Sequence, residues 1–366
     1  MTEPLEDIVA AIRKRPGMYV GDVHDGSGLL HLLWEVVGNA IDEHLAGFCR
    51  RIAVTLHDDG RVTVVDDGRG IPVDPLSDGV SLLETVLTRM HDSATFDRHE
   101  KHVHLDSHGV GLVAVNAVCR ETVVESVRGG RLYRQEFRAG FAVGPLLDLG
   151  VTGRTGTRFS FVPDPAIFPW VDLDATQIRE RLHYLAGLCP GLVVHFADER
   201  RSVFSCPNGI VDLLARQHPG GAPMPTPALH ATGSEGRVRV EVALQWSGHR
   251  WDGAVRSFVN LYETLDGGSH VAGLKKGLSE LLHGIPRQER SPLTTALQER
   301  VVGVVSVFHH APSFDAPTRS KLTSPEVRPV VEAVVRRCLR DFAATRPEEL
   351  RRLLAVMRPA VPPSLH

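Results

Sequence analysis

The chain has 366 residues with a formal net charge of −3 at pH 7, and 42% of its residues are hydrophobic and 23% charged. This length favours two domains, and the composition excludes a disordered chain, a fibrous protein and a polycation that coats nucleic acid. Five isolated cysteines, an acidic N-terminus and the lack of an apolar run of membrane-spanning length predict a cytoplasmic protein without a disulfide framework, zinc site or membrane helix.

The first half of the chain alternates predicted helices and strands. Apolar residues recur at helical spacing from Leu29 to Ala46 and predict a helix that ends at Gly47. Two alternating apolar stretches within Arg51–Pro72 flank an Asp-Gly pair, which is a strong signal for a β-hairpin. Further elements are predicted as helices at Ser81–Met90 and Leu112–Val118, a polar loop at Ser93–Gly111, and strands at Thr122–Val127 and Leu132–Phe137.

The second half predicts another α/β unit after an aperiodic loop at His218–Glu235. Val301–Phe308 is almost wholly apolar, which predicts a strand covered on both faces. The remaining elements are predicted as strands at Arg237–Trp246 and Ser257–Leu261 and helices at Gly268–His283 and Pro325–Ala344. This order of elements predicts an α+β fold in which helices cover one face of a mixed, largely antiparallel sheet.

Two polar side chains share one face of the first long predicted helix. Glu35 and Asn39 lie four residues apart, and Asp42 continues the same face. Because this face is otherwise apolar, we expect Glu35 and Asn39 to be partly buried. A buried carboxylate beside a carboxamide can position a water molecule and bind a divalent cation through its oxygens. The helix taken alone fits the simpler alternative, a solvated edge, better.

Three glycine-containing motifs follow this helix. DDGRGIP, at Asp66–Pro72, places an acid at a strand end, where it can accept a hydrogen bond from the exocyclic amine of a planar heterocycle. HGVG, at His108–Gly111, opens a helix, and the amides of a helix N-terminus suit phosphate binding. TGT, at Thr155–Thr157, starts a strand. Each motif alone is equally compatible with an ordinary turn, and the five histidines between positions 91 and 108 lack the spacing of a metal site.

The motifs occur in a characteristic order, E-x-x-x-N, DDGRGIP, HGVG and TGT, between Glu35 and Thr157. This order resembles the ATPase region of the bacterial DNA gyrase and topoisomerase IV B subunits, which are Bergerat-fold (GHKL) ATPases. Longer segments are similar to the same family, at Ile12–Asp22, Trp34–Gly47, Val240–Trp246, Asp266–Gly273 and Val304–Phe314. The resemblance implies a Bergerat-fold sandwich with a mixed, mostly antiparallel sheet over residues 1–207. A smaller transducer domain of the ribosomal protein S5 domain 2-like type would follow over residues 208–366.

The resemblance also implies a role for each motif residue, with ATP and Mg²⁺ as ligands. Glu35 would activate the attacking water, Asn39 would hold Mg²⁺, and Asp66 would accept a hydrogen bond from the adenine amino group. Arg319 stands for the lysine that touches the terminal phosphate in the family, and Arg128 matches the arginine that contacts aminocoumarin drugs. The other residues expected to contact ATP are Gly68, Arg69, Ile71, Pro72, His108, Gly109, Val110, Gly111 and Thr157.

Several positions depart from the family pattern. Thr95 replaces a lysine near the start of the ATP lid, Gly38 replaces a carboxylate, and Pro317–Arg319 replaces a Gln-Thr-Lys switch loop. The arm before Arg13 is short, and the sequence ends at His366 without the family's cleavage domain. Because these changes leave the proposed base, magnesium ligand and adenine acid intact, we expect ATP to bind. Because the changes fall on parts that sense the terminal phosphate or close the dimer in the family, we expect hydrolysis to be slow.

Different functions therefore stay open at this point. One is an ATP-operated clamp that forms a homodimer on nucleotide binding and acts with DNA or a separate topoisomerase subunit. Another is a stand-alone paralogue that binds ATP or an aminocoumarin as a regulator or resistance decoy. Recruitment to an unrelated ATP-dependent reaction is a third, for which the sequence gives no positive sign.

Overall fold

A computed structural model describes residues 5–89, 111–169, 173–217, 226–247, 255–316 and 318–358. The chain divides into two compact units, Met1–Cys206 and Pro207–His366. Within the described residues, the first unit is built on a nine-stranded sheet and the second on a five-stranded sheet. Among those residues, none of the helices combines the length and the apolar character that crossing a membrane requires.

The first unit alternates helices with strands. Its helices are α1 (Leu5–Lys14), α2 (Gly17–Val20), α3 (Ser27–Leu45), α4 (Leu82–Thr88), α5 (Gly111–Val118) and α6 (Ala175–Leu188). Its strands are β1 (Arg51–Leu56), β2 (Val62–Asp66), β3 (Cys119–Arg128), β4 (Arg131–Arg138), β5 (Phe141–Ala142), β6 (Leu147–Val151), β7 (Gly156–Pro163), β8 (Val193–Ala197) and β9 (Arg201–Ser205).

The sheet of the first unit has the strand order β5-β4-β3-β7-β2-β1-β8-β9, and β6 also pairs with β4. All of these pairs are antiparallel except β1 with β8. The predicted hairpin is the pair β1 and β2, in which Leu56 opposes Val62. The sheet is therefore mixed and mostly antiparallel, as the sequence predicted.

Helices α3 and α5 pack on one face of this sheet. The apolar residues of α3 that recur at helical spacing are buried, namely Leu29, Leu32, Leu33, Val36, Val37, Ala40 and Ile41. Burial of this stripe explains why the segment is a helix, since most helical stability in proteins comes from packing of an apolar face. On the opposite face, here called the outer face, Arg134 of β4 pairs with Glu125 of β3 at 3.0 Å.

The second unit has its own sheet and helices. The helices are α7 (Ile210–Arg216), α8 (Ser269–Gly277), a 3₁₀ helix (Leu278–Leu282), α9 (Arg287–Arg300), α10 (Val327–Thr345) and α11 (Pro347–Met357). The strands are β10 (Leu229–Glu235), β11 (Val238–Trp246), β12 (Val255–Val259), β13 (Tyr262–Glu263) and β14 (Val301–His309).

Strand β14 is the centre of the second unit. It pairs antiparallel with β11 and parallel with β12, and its residues are buried except for the half-buried Phe308. This confirms the prediction of a strand covered on both faces. Helices α8 and α10 approach each other closely, because a Cβ added at Gly277 would lie only 2.7 Å from the Cβ of Val335. Glycine at this position allows that contact.

Two expectations for the second half are wrong. The predicted loop at 218–235 contains β10, a polar strand that pairs with β11 from Leu229, opposite Leu244, to Glu235, opposite Val238. Its stability comes from this pairing and not from an apolar period of its own. The helix predicted over 268–283 is divided, because α8 ends at Gly277 and a 3₁₀ segment continues it.

Candidate functional site

Four polar residues form one stripe along α3, because each lies four positions after the one before it. They are His31, Glu35, Asn39 and Glu43. Glu35 is buried, with 8% of its surface exposed. Asn39 is exposed, so the prediction that both residues are partly buried is wrong for Asn39. The described residues leave its carboxamide open to solvent and therefore to a ligand.

The Glu35 end of the stripe faces the start of α5. Nε2 of His31 lies 3.1 Å from Oε1 of Glu35. A Cβ added at Gly111 would lie 3.0 Å from Oε2 of Glu35, so the first residue of α5 is directly against the carboxylate. Asn39 donates from Nδ2 to the carbonyl oxygen of Glu35 at 2.7 Å, which leaves its Oδ1 as the atom that can bind a cation.

Asp66 ends β2 and is also buried. Its Oδ1 accepts hydrogen bonds from the backbone N–H of Gly68 at 2.8 Å and of Thr157 at 3.3 Å. Burial raises the pKa of Asp66 to about 6, although these hydrogen bonds oppose the shift. The carboxyl group is therefore held in place by backbone amides in a desolvated position.

The neighbouring acid, Asp67, has a different surrounding. Its Oδ1 accepts from the backbone N–H groups of Arg50 and Arg51 at 2.7 and 2.8 Å. Burial opposes ionisation of Asp67, but the hydrogen bonds from Arg50 and Arg51 outweigh it and hold its pKa below the usual value. Asp67 thus fixes the start of β1. Of the two acids, Asp66 is the one with a carboxylate oxygen that can accept a hydrogen bond from a ligand.

Glu43, at the other end of the stripe, binds Arg69. The guanidinium donates to both carboxylate oxygens of Glu43, at 3.0 and 2.6 Å, and the backbone N–H of Arg69 adds a third hydrogen bond of 2.9 Å. Burial opposes ionisation of Glu43, yet the bonds from Arg69 lower its pKa. The guanidinium also lies 4.0 Å from the ring centroid of Phe48. Arg69 is therefore held by α3 on one side and by an aromatic ring on another.

Gly70 and the residue after it are fixed by β3. Arg128 donates to the carbonyl oxygen of Gly70 at 3.1 Å, and Ser126 donates to that of Ile71 at 2.7 Å. Gly70 has φ +79°, and a Cβ added there would lie 2.4 Å from the carbonyl oxygen of Val127. Only glycine fits this close approach. Pro72 follows directly and is half-buried.

The two ends of the stripe belong to one continuous site. A Cβ added at Gly68 would lie 2.9 Å from both Oδ1 of Asp66 and Oε2 of Glu43, so α3 and the end of β2 meet there. At Gly156, just before Thr157, an added Cβ would lie 1.9 Å from the carbonyl oxygen of Asp66. The site therefore extends along α3, from Gly111 beside Glu35 to Gly68 beside Glu43. Strand β7 borders the site at Asp66.

Part of the sequence prediction is not placed by the structure. His108, Gly109 and Val110, like Thr95 and Pro317, lie outside the described residues. Arg319 belongs to the second unit, where it has φ +57° and its guanidinium lies 5.0 Å from the ring centroid of Tyr262. A contact between Arg319 and the first unit stays a prediction.

Two further findings concern metals and thiols. Among the residues that the structure describes, no group of three or more His, Cys, Asp or Glu side chains is arranged to hold a metal ion. All five cysteines are free thiols.

Sequence reasoning assigned no role to three residues that shape the site, His31, Glu43 and Ser126. His31 and Glu43 carry a readable signal, since they extend the four-residue spacing of Glu35 and Asn39 in both directions. Ser126 carries none, because its bond to Ile71 joins residues 55 positions apart.

Two family models match this chain. The model described as histidine kinase-, DNA gyrase B-, and HSP90-like ATPase matches residues 24–167, and the model described as DNA gyrase B matches residues 209–360. Among curated proteins, the DNA gyrase B subunit of Thermotoga maritima is 35% identical over 361 residues, which cover 94% of this chain and 56% of that protein. The B subunit of DNA topoisomerase 4 from Streptococcus pneumoniae is 36% identical over 341 residues, covering 89% of this chain and 52% of that protein.

Solved structures give the same result. A crystal structure of the 43K ATPase domain of Thermus thermophilus gyrase B in complex with an aminocoumarin superposes with a TM-score of 0.82 at 31% identity, covering 95% of this chain and 93% of that one. The B subunit of the Myxococcus xanthus DNA gyrase has a TM-score of 0.79 at 25% identity, with 94% and 99% coverage. This chain spans about half the length of the curated relatives above. It belongs to the DNA gyrase B family and has the α+β fold of that family's GHKL ATPase region with its transducer domain.

Proposed function

We propose that this chain is an ATP-binding and ATP-hydrolysing module of the type II topoisomerase B-subunit class. In this proposal residues 1–207 form the ATPase domain and residues 208–366 the transducer domain. The observation that carries it is Asp66, a buried carboxyl group aligned by the backbone amides of Gly68 and Thr157 at the end of a glycine-lined site.

The adenine end suits a planar base with an exocyclic amine. Oδ1 of Asp66 is occupied by two backbone donors, so the second carboxylate oxygen is the natural acceptor for the amine. Gly68 and Gly70 present no side chain beside it, and the side chain of Thr157 also hydrogen-bonds Asp66. A base with a carbonyl at that position would face the carboxylate oxygen with another acceptor. We therefore expect ATP to bind and GTP to be rejected.

The Glu35 end suits the phosphates and the hydrolytic water. Glu35 is the proposed general base, which takes a proton from water as the water oxygen bonds to the terminal phosphorus. The bond from that phosphorus to the bridging oxygen breaks, and ADP leaves with the electron pair. The exposed amide oxygen of Asn39 fits a hard cation, and Mg²⁺ held there would neutralise charge on the phosphates. We propose that Arg319, and the amides of His108, Gly109, Val110 and Gly111, contact the phosphates.

Calorimetry and a steady-state assay on the full chain test this function. A non-hydrolysable ATP analogue should bind with Mg²⁺ in a 1:1 ratio, and ATP should be turned over at a rate that Glu35→Gln abolishes. Binding without turnover would leave an ATP-sensing module and contradict the enzymatic part of the proposal. Absence of binding would contradict both parts.

The role in a larger assembly is also a proposal. The names of the gyrase and topoisomerase 4 relatives support action on DNA together with other topoisomerase domains or subunits. We propose that the chain acts in the cytoplasm. We propose that ATP binding drives formation of a homodimer. Sedimentation with and without the ATP analogue tests this step, and a chain that stays monomeric with saturating analogue would contradict it.

Aminocoumarin binding is the second candidate function. It is supported by Arg128, whose guanidinium is fixed on the carbonyl of Gly70 at the rim of the site, and by the aminocoumarin complex of the Thermus thermophilus relative. An aminocoumarin should compete with the ATP analogue, and Arg128→Leu should weaken the drug more than the nucleotide. Equal weakening of both ligands would contradict a drug-specific contact at Arg128.

A further inference from the structure

One edge of the first sheet carries a concentration of exposed apolar side chains. Ten large hydrophobic residues are exposed among the residues that the structure describes, and half of them lie within eleven positions at β5 and β6. They are Phe141, Val143, Leu147, Leu149 and Val151, which are between 39% and 83% exposed. Isolated apolar side chains are normal on a protein surface, but a concentration of them along one sheet edge indicates an interaction site.

The patch lies at the end of the sheet, with Phe141 and Leu147 on its outer face. Phe141 is opposite Arg138 and Leu147 is opposite Arg134, and cross-strand partners share one face. Arg134 binds Glu125 on the outer face, so Phe141 and Leu147 lie there as well. Val143 lies just after β5, and Leu149 lies where the register between β4 and β6 shifts. Val151 is opposite Arg131, three positions before Arg134 on β4.

The backbone at this edge is open to a further strand. Within the described residues, β6 has one strand neighbour, β4. An edge strand presents unpaired N–H and C=O groups to any extended chain of suitable side chains. The charged residue of β6, Asp148, is already neutralised by Arg131 at 2.7 Å and so does not oppose such a chain. The edge thus offers backbone hydrogen bonds and apolar contact together.

The charges around the patch specify what would bind. Arg138 lies beside Phe141, and Arg154 lies three residues after β6. Both are exposed, and the described residues give neither of them a carboxylate partner. Two copies of this surface would present the same positive charge to each other, which disfavours self-association. A partner with carboxylates at both ends of its apolar stretch would pair with both arginines.

We propose that the edge formed by β5 and β6 binds an extended protein segment with alternating apolar residues and an acidic residue at each end. The segment adds to β6 as a further strand, with its apolar side chains on Leu147, Leu149 and Phe141 and its acidic ends on Arg138 and Arg154. This is strand addition, in which backbone bonds supply affinity and flanking pairs supply selectivity. It does not depend on ATP turnover and lies outside the α3 site.

Fluorescence anisotropy of the full chain with labelled peptides tests the proposal. The probe is Asp-Val-Thr-Val-Thr-Val-Asp, with Lys-Val-Thr-Val-Thr-Val-Lys as the charge control. A third peptide, Asp-Val-Pro-Val-Pro-Val-Asp, lacks two backbone donors. The acidic peptide should bind saturably, and each control peptide should bind at least about tenfold more weakly. The preference for the acidic peptide should shrink as salt rises, because the arginine contacts are exposed.

Variants then locate the binding. Leu147→Lys with Leu149→Lys should weaken the acidic peptide at least about tenfold, whereas Val203→Lys, an exposed apolar position on β9 at the opposite edge of the sheet, should not. Arg138→Glu with Arg154→Glu should reverse the preference between the acidic and lysine peptides. All variants must keep the parent's melting temperature. The chain with Arg138→Glu and Arg154→Glu should bind the lysine peptide more tightly than the parent does, and misfolding cannot produce such a gain.

Three outcomes would overturn the proposal. The first is no saturable binding of the acidic peptide up to about 1 mM, the weak limit of specific recognition. The second is equal binding to the parent and to the Leu147→Lys, Leu149→Lys chain. The third is a parent dimer, seen by sedimentation, that the same two substitutions convert to a monomer, since the patch would then be an interface between copies of this chain.

Discussion

The two ends of the α3 stripe are held in different ways. At the Asp66 end, backbone amides of Gly68 and Thr157 fix the carboxyl group, and glycines keep the neighbouring chain close. At the Glu35 end, the histidine side chain of the preceding helical turn contacts the carboxylate, and Asn39 is open to solvent. One end is therefore built mainly by backbone groups, together with the Glu43–Arg69 pair, and the other by side chains of a single helix.

This difference separates recognition from chemistry. In the proposed function, a backbone-built end would select the base by shape, at the cost of desolvating Asp66 in the ligand-free chain. In the same proposal, the end built from side chains would be completed by the phosphates and the cation when they bind. We therefore expect changes near Asp66 to act on affinity and changes near Glu35 to act on turnover.

The largest effect is expected from Glu35→Gln. The amide keeps the size of the side chain but cannot accept the proton of the attacking water, so kcat should fall by about 10²- to 10⁴-fold. Affinity for the ATP analogue should stay within about twofold, which calorimetry measures.

Glu43→Gln is the matched control, because it makes the same chemical change eight residues further along the stripe. It weakens the contact with Arg69 and should raise KM while leaving kcat near the parent value. If Glu43→Gln lowers kcat as much as Glu35→Gln does, the stripe is not divided between recognition and chemistry.

The next effect is expected from Asp66→Asn. Asn keeps an oxygen for the N–H groups of Gly68 and Thr157 but turns an NH₂ group toward the adenine amine, which should weaken ATP binding by about 1–3 kcal/mol. Asp67→Asn makes the same change at the adjacent acid, which holds Arg50 and Arg51. Calorimetry should show a large loss for Asp66→Asn and little for Asp67→Asn, and the reverse order would assign the adenine contact to Asp67.

Asp66→Asn, which should weaken ATP binding, should stabilise the fold of the ligand-free chain. The pKa of Asp66 is about 6 in the folded chain and 3.8 in the reference state, so the folded chain binds the proton more tightly. Stability from this group is present below pH 4 and is lost as pH rises to about 6 and above. Asp66→Asn does not lose this stability, so its free energy of unfolding at pH 8 should exceed the parent's by up to about 3 kcal/mol. Melting curves of ligand-free chains should separate at pH 8 and converge near pH 4, and equal curves at pH 8 would contradict the raised pKa.

Periodicity accounts for the elements that the sequence predicted. The helix α3 and the strand β14 bury long apolar stripes of their own, and those stripes are visible without a fold. Strand β10 has no such stripe, because it is a polar edge strand whose partner, β11, supplies the order. Helix α9, at Arg287–Arg300, buries only Leu293 and Leu297 and was not predicted for the same reason.

The site was predictable where local spacing defines it. The pair Glu35 and Asn39 follows from the helical repeat, although their different burial does not. The resemblance, not the local pattern, selected Asp66 over Asp67, because adjacent acids at a strand end differ only in which groups surround them after folding. The bond between Glu43 and Arg69 joins residues 26 positions apart, so it exists only once α3 and β2 have met.

A smaller effect is expected from His31→Asn. The imidazole contacts Oε1 of Glu35 at 3.1 Å and orients the carboxylate, so its loss should lower kcat by about tenfold, well below the loss of the base itself. KM for ATP should stay unchanged. His44→Asn, which alters another histidine of α3 bound to the carbonyl of Cys49, is the control and should leave both constants near the parent values.

A comparison of kcat, KM and melting temperature distinguishes positioning from a loss of folded protein. His31→Asn should lower kcat while the melting temperature and KM stay at the parent's values, whereas a folding defect would lower the melting temperature as well. A kcat equal to the parent's would contradict a positioning role.

The smallest effect is expected from Phe48→Leu. The guanidinium of Arg69 lies 4.0 Å from the ring centroid of Phe48, and a half-exposed contact of this type contributes about 0.5–1 kcal/mol. Without the ring, Arg69 keeps its bonds to Glu43 but loses one of its two supports, so KM for ATP should rise about two- to fivefold with kcat unchanged. Phe48→Tyr retains the ring face and should behave as the parent does. If Phe48→Leu and Phe48→Tyr give the same KM, the ring is not a support of Arg69, and the rigidity of the Asp66 end comes from the backbone and Glu43 alone.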